Sequence, residues 1–197
     1  MRPPTGERTL REAIAAADRA RDSESTAVMA APVALARASS RFVLFGIAST
    51  QYAVPEAYVT ELETVPRVTP VPHVPEWLRG VTNLRGDIVS VVDLRVYLGL
   101  SGFVTPTARL LVVRLLDEPF TTGLIVDAVD RIVAINPDDI TPPASPLEGP
   151  LTPYLIGICS VGGRLVAVLD IDRLLRSPDL RQFEEPRSVE AAAADLH

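Results

Sequence analysis

Residues 78–98 read LRGVTNLRGDIVSVVDLRVYL, and residues 155–175 read LIGICSVGGRLVAVLDIDRLL. The two stretches align without a gap at an offset of 77: Gly80 meets Gly157, Val81 meets Ile158, Gly86 meets Gly163, Val91 meets Val168 and Asp93 meets Asp170. Each is an apolar run, a tight glycine turn, a second apolar run, and an Asp followed by a short helical pattern. Gly162-Gly163 suits a two-residue hairpin, where both central residues can take positive φ. The first copy has Arg85-Gly86 at that tip. A non-glycine residue at positive φ costs about 1 kcal/mol, and a turn with positive φ only at Gly86 avoids it. Either way, one copy presents a long cation on a stiff tip and the other bare backbone. Asp93 and Asp170 are expected to cap the helical runs behind them by accepting backbone N–H bonds from the first turn.

The repeat extends upstream. RFVLFGIASTQYAVPEAYVTEL (41–62) is similar to RLLVVRLLDEPFTTGLIVDAVDRI (109–132), with Val59 against Val129 and Leu62 against Ile132. Each half then enters a proline-rich stretch, Pro66 to Pro75 in the first and Pro137 to Pro153 in the second. Proline cannot sit in a central ladder, so these stretches connect strands. Each half therefore reads strand, turn, strand, strand, connection, strand, tight turn, strand, short helix. Strands this short leave exposed edges in an open sheet, and closure into a small barrel removes them. The architecture expected from the residues is all-β, two small barrels packed together. Residues 1–40 have a different texture, with a possible helix over 7–21 (Leu10, Ile14 and Ala17 near one face) and a linker over 22–40. The core spans 41–176, and 177–197 is a tail with a short helix over 187–196, Ser188 being its N-cap.

Composition narrows the function. The formal net charge of −6 opposes nucleic-acid binding, which needs a basic face against phosphates. Aromatics are 5%, too few for a stacking platform on single strands. One cysteine, Cys159, excludes an internal disulfide, and its alternating apolar run predicts a buried, inert thiol. His73 and His197 offer little for metal binding or His-based catalysis, so neither metal nor cofactor is expected. Residues 27–36 (AVMAAPVALA) follow an acidic segment, not the positive start of a secretory signal, and read as linker. No apolar run is long enough to span a membrane. Phosphate-binding loops, His-Glu zinc motifs and nucleophile elbows are absent. A cryptic barrel enzyme would need convergent acids and bases with shifted pKa values. Trp77 is expected to anchor its connection onto a barrel. Strict alternation puts Val59 and Glu61 on one face, either a mixed contact surface or a solvated strand edge. The reading is a non-enzymatic protein-binding module.

The stretch GVTNLRGDIVSVVDLR (80–95) resembles the signature of the CheW family, the coupling proteins of bacterial chemotaxis arrays. YAVPEAYVTEL (52–62), GLIVDAVDRI (123–132) and YLIGICSVGGRLVAVLDIDRLL (154–175) match the rest of the pattern in order, so the resemblance covers about 41–176. It implies two intertwined five-stranded SH3-like barrels and a cytoplasmic scaffold without catalysis or cofactor. Such proteins link chemoreceptor cytoplasmic tips to the regulatory domain of a CheA-type histidine kinase. The resemblance makes Arg85 the arginine of the Asn-Leu-Arg-Gly turn and Glu61 its acidic partner, both associated with array contacts. It places Val59 in the groove near the receptor, and Gly123 and Val129 on the second-barrel side used for neighbours. Ser90 stands where the signature commonly has proline, and the N-terminal extension lies outside the family core. A dedicated system such as a twitching-motility pathway is the alternative setting.

Overall fold

The structure, a computed structural model, describes residues 41–100, 104–143 and 152–182. The helices expected over 7–21 and 187–196, and the linker between 22 and 40, lie outside the described residues. Five strands come from each half: β1 (Arg41–Ile47), β2 (Thr50–Pro55), β3 (Val59–Thr64), β4 (Leu78–Leu84) and β5 (Asp87–Asp93), then β6 (Arg109–Arg114), β7 (Thr121–Val126), β8 (Ala128–Ala134), β9 (Leu155–Val161) and β10 (Arg164–Leu169). Helix α1 (Leu94–Tyr97) follows β5, and α2 (Ile171–Leu175) and α3 (Pro178–Arg181) follow β10. The short helix α3 carries the packed chain past residue 176, with Leu180 buried and Ser177 as its N-cap. Among the described residues no helix is long and apolar enough to cross a membrane.

The barrels are not the two sequence halves. One sheet runs β8-β1-β2-β10-β9 and the other β3-β6-β7-β5-β4. Advancing every strand of the second order by five gives the first, so a pseudo-twofold relates them. Each sheet takes two strands from one half and three from the other, the intertwining that the resemblance implies. The single parallel contact in each is β2 with β10 and β5 with β7, where strands of different halves meet.

The connections close each sheet. Thr69 exchanges both backbone hydrogen bonds with Val81 of β4, and Thr141 does the same with Ile158 of β9, at 2.8–2.9 Å. These closures explain the aligned glycines. A Cβ on Gly80, which sits at φ 131°, would lie 2.0 Å from the Thr69 carbonyl oxygen, and one on Gly157 would lie 2.5 Å from that of Thr141.

Among the described residues three apolar clusters result. Phe42, Leu44, Ala53, Cys159, Val166 and Val168 fill the barrel of β1. Val91, Leu110, Val112 and Ile125 fill the barrel of β6. The largest cluster lies between the barrels, where Phe45, Tyr52 and Ala167 meet Val92, Leu111, Val113 and Leu124. Successive residues of β6 and β7 thus face different cores. A strand buried on both faces reads as a continuous apolar run, as LLVV and LIV do here.

Both aspartates cap as their position predicts. Asp93 Oδ1 accepts from the N–H groups of Arg95 and Val96, and Asp170 Oδ1 from that of Arg173 at 2.9 Å. Each aspartate N–H also donates to the residue that ends the preceding connection, Asp93 to Trp77 and Asp170 to Tyr154, both at 2.7 Å. Trp77 lies edge-on to Tyr97 at 5.3 Å and packs on the central core, the anchoring role expected of it.

Candidate protein-binding site

The β4–β5 hairpin resolves the question left open by its turn. Arg85 takes φ 56° and Gly86 φ 105°, matching Gly162 at 58° and Gly163 at 76° in the other copy. Both turns therefore use positive φ at both central residues, and one of them holds an arginine in the left-handed region at a cost of about 1 kcal/mol. Asn83 steadies the tip, its Oδ1 accepting the Gly86 N–H at 2.9 Å.

The strained turn aims the guanidinium across the barrel seam. Arg85 Nη1 lies 3.1 Å from Glu61 Oε1, and Nη2 lies 3.9 Å from Glu63 Oε1. The arginine side chain is 75% exposed while that of Glu61 is 25% exposed, so the cation stands out from a half-sheltered acid. Glu61 Oε2 is buried and has no hydrogen-bond partner among the described residues. Glu63, missed by the sequence reading, was legible in it, since it sits two residues beyond Glu61 on the same strand face.

Val59 and Glu61 do not share a face. Val59 pairs with Val113 but Glu61 pairs with Val112, so Thr60 is an extra residue in a β-bulge. Val59 therefore packs on the inter-barrel core, whereas Glu61 is paired with Val112, whose side chain belongs to the β6 barrel. The Thr60 hydroxyl donates to the Val112 carbonyl at 3.2 Å and helps hold the bulge. Leu62, paired with Leu111, returns to the Val59 face and is half exposed.

Gly123 and Val129 are not brought together. Gly123 lies in β7, in the same barrel as Arg85, and is buried. A Cβ there would meet Leu110 Cδ1 at 2.7 Å, so the glycine makes room for a core side chain and is not on the surface. The strand exchange is the reason: β7 runs through the middle of its sheet. Val129 lies in the other barrel, on edge strand β8, half-buried against the central core. A register shift recurs there, between the Val43–Ile132 and Phe45–Val129 pairs, and by the repeat alignment Arg131 is the counterpart of Glu61.

The remaining candidates are structural. Cys159 is buried inside a barrel. His73 is exposed, at φ 61° in the proline-rich connection. Thr82, the repeat counterpart of Cys159, is buried and donates to the Arg67 carbonyl at 3.1 Å. Shifted titrations have packing causes. Burial pushes the Tyr58 hydroxyl up to about 12, with the acids around Asp172 adding to it. Burial also raises the Asp170 carboxyl, whose Oδ2 has no hydrogen-bond partner among the described residues. Among the described residues no group of three or more His, Cys, Asp or Glu is placed to hold a metal ion.

Residues 41–179 match the family model of the CheW-like domain. The chain is 30% identical over 139 residues to chemotaxis protein CheW of Klebsiella aerogenes, an alignment covering 71% of this chain and 83% of that one. It is 30% identical over 148 residues to protein FrzA of Myxococcus xanthus, covering 73% of this chain and 90% of that one. Protein PilI of Pseudomonas aeruginosa is 34% identical over 108 residues, covering 54% of this chain and 60% of that one. The crystal structure of the scaffolding protein TtCheW from Thermoanaerobacter tengcongensis superposes with a TM-score of 0.63 at 26% identity, covering 72% of this chain and 95% of that one. The ordered repeat, the exchanged five-stranded sheets and these matches place the chain in the CheW-like family, as a coupling adaptor of chemotaxis-like pathways.

Proposed function

We propose that this chain bridges chemoreceptor cytoplasmic tips to the regulatory domain of a CheA-type histidine kinase in the cytoplasm, and that Arg85 with Glu61 is a contact for one of those partners. The observation that carries this reading is the positive φ of Arg85. Its twin hairpin uses Gly162-Gly163 for the same kind of turn, so the fold does not need an arginine there. A strained residue that the fold can dispense with points to a function for its side chain. Arginine is also enriched where truncation at an interface costs most.

Val59 and Val129 serve as apolar contacts in this reading. They are repeat counterparts on β3 and β8, each half-buried at the rim of the inter-barrel core. Gly123 contributes only the shape of the barrel interior. A setting of the twitching-motility type is the second reading, favoured by the 34% identity to PilI. The test is titration of the full chain against the two partner kinds separately: kinase regulatory domains, and receptor-tip helical fragments. Saturable binding to either, weakened by Arg85→Ala, supports the proposal. Binding to neither overturns it.

A further inference from the structure

Asp127 is the only residue between β7 and β8, where the chain crosses from one barrel to the other. Its counterpart crossing, from β2 to β3, uses three residues and is anchored by the buried Tyr58. Asp127 anchors by charge instead. Its carboxylate takes both Arg95 Nε, at 3.2 Å, and Arg95 Nη2, a two-pronged pair with both side chains less than 20% exposed. The same carboxylate accepts the Ala48 N–H at 2.7 Å. Ala48 sits at φ 54° in the β1–β2 turn, so this bond also secures a strained residue. The main chain of Asp127 is used as well: its N–H donates to Gly46 O at 3.0 Å, and its carbonyl accepts from Thr107 Oγ1 at 3.1 Å.

The strand that begins after Asp127 needs such an anchor. Among the described residues strand β8 is the edge of its sheet and pairs only with β1. The register shift interrupts that pairing, so in the ladder its first part is held by Ala128 against Gly46 and Val129 against Phe45 before pairing resumes at Ile132, with one exposed side-chain bond, Gln51 Nε2 donating to Asp130 Oδ2 at 2.7 Å, beside them. Two paired residues do not hold an edge segment by themselves. We infer that Asp127 is a positioning residue: gripped by Arg95, it fixes the start of β8 and so presents Val129 and Arg131 to a partner. This rests on the reading of β8 as a partner surface.

Hydrogen exchange by mass spectrometry on the full chain tests it, because peptides over residues 127–131 report the anchor without any partner. Asp127→Asn keeps the shape and loses the charge. Arg95→Lys keeps the charge and loses the fork. Both should speed exchange over 127–131 at least tenfold, with β5, β7 and β10 unchanged. Affinity for the kinase regulatory domain should fall in Asp127→Asn about as much as in Val129→Ala, and the double variant should bind little worse than either. The inference is overturned if 127–131 stays protected in both variants, if exchange rises throughout the chain, or if the two affinity losses add in full. If the unaltered chain binds no partner, the adaptor reading fails, while the exchange result still decides whether Asp127 anchors β8.

Discussion

Arg85 and Glu61 join the two ends of one sheet: Arg85 Nη1 lies 3.1 Å from Glu61 Oε1, although β3 and the β4–β5 hairpin stand at opposite ends of the strand order. The pair therefore spans the seam that the Thr69–Val81 bridge closes further along. An exposed ion pair contributes about 0–1 kcal/mol. That is no more than the strain of holding Arg85 at positive φ, about 1 kcal/mol. The arrangement gives the barrel little net stability and displays a cation in a fixed place.

The seam itself depends on glycine. Gly80→Ala puts a methyl group 2.0 Å from the Thr69 carbonyl oxygen at a φ that side chains avoid, and Gly157→Ala makes a clash at 2.5 Å without that backbone strain. Both variants should lose stability in urea melts, Gly80→Ala by at least about 2 kcal/mol and Gly157→Ala by less. Equal stability to the unaltered chain would mean that the closing segments yield freely.

Asp170 caps α2 through one oxygen while the other is buried with no hydrogen-bond partner among the described residues. Burial raises its carboxyl, so the charged form is disfavoured in the folded chain. Asp170→Asn keeps an acceptor for the cap and removes the charge, and it should change stability by less than about 0.5 kcal/mol. Asp170→Ala should cost about 1 kcal/mol. Chemical denaturation of the two variants side by side checks this.

Glu118 carries the opposite sign. Arg181 first, then Arg176, holds its carboxyl below the ordinary value, and the network fastens α2 and α3 to the β6–β7 turn. Because the folded value is depressed, the contribution is full above the unfolded value of about 4.3 and is lost as pH falls through the folded one. Melting temperatures of the full chain and of Glu118→Gln should differ at about pH 6 and converge in strong acid. Salt near 1 M should narrow the gap as well, because these groups are partly exposed. A gap that persists in acid would mean that the variant disturbs packing.

A chain beginning at Ser39 should keep a single cooperative melt, since both repeats lie from Arg41 onward and β1 begins there. Aggregation or a non-cooperative melt would make the N-terminal extension part of the fold.

Strand number, the two hairpins and both aspartate caps were legible in the sequence because each is fixed locally, by turn chemistry or by spacing at the offset of 77. The exchange of strands was not legible in the residues themselves. The apolar runs of β1 and β6 are alike, and nothing local tells either which sheet to join, so the intertwining came from the resemblance alone. Strict alternation failed at Val59 because Thr60 forms a bulge that no glycine or proline announces. Gly123 entered through the resemblance alone, and its packing reason, Leu110 filling the space of its missing Cβ, belongs to the neighbouring strand and leaves no mark in its own stretch. The conformation of Arg85 could not be chosen, since two turn types fit Arg85-Gly86 equally well, and Asp127 offered no signal beyond one acid between two apolar runs.

The most direct test sets affinity against stability for Arg85→Ala and Arg85→Gly in the full chain, with calorimetric titration into the kinase regulatory domain and thermal melts of the same samples. Arg85→Gly removes the strain and the side chain together, copying the Gly162-Gly163 turn. Both variants should bind at least about fivefold more weakly. Stability should move by less than about 1 kcal/mol, with Arg85→Gly no less stable than Arg85→Ala. A clear loss of melting temperature with affinity unchanged would make Arg85 a brace for the barrel seam and place the partner surface elsewhere.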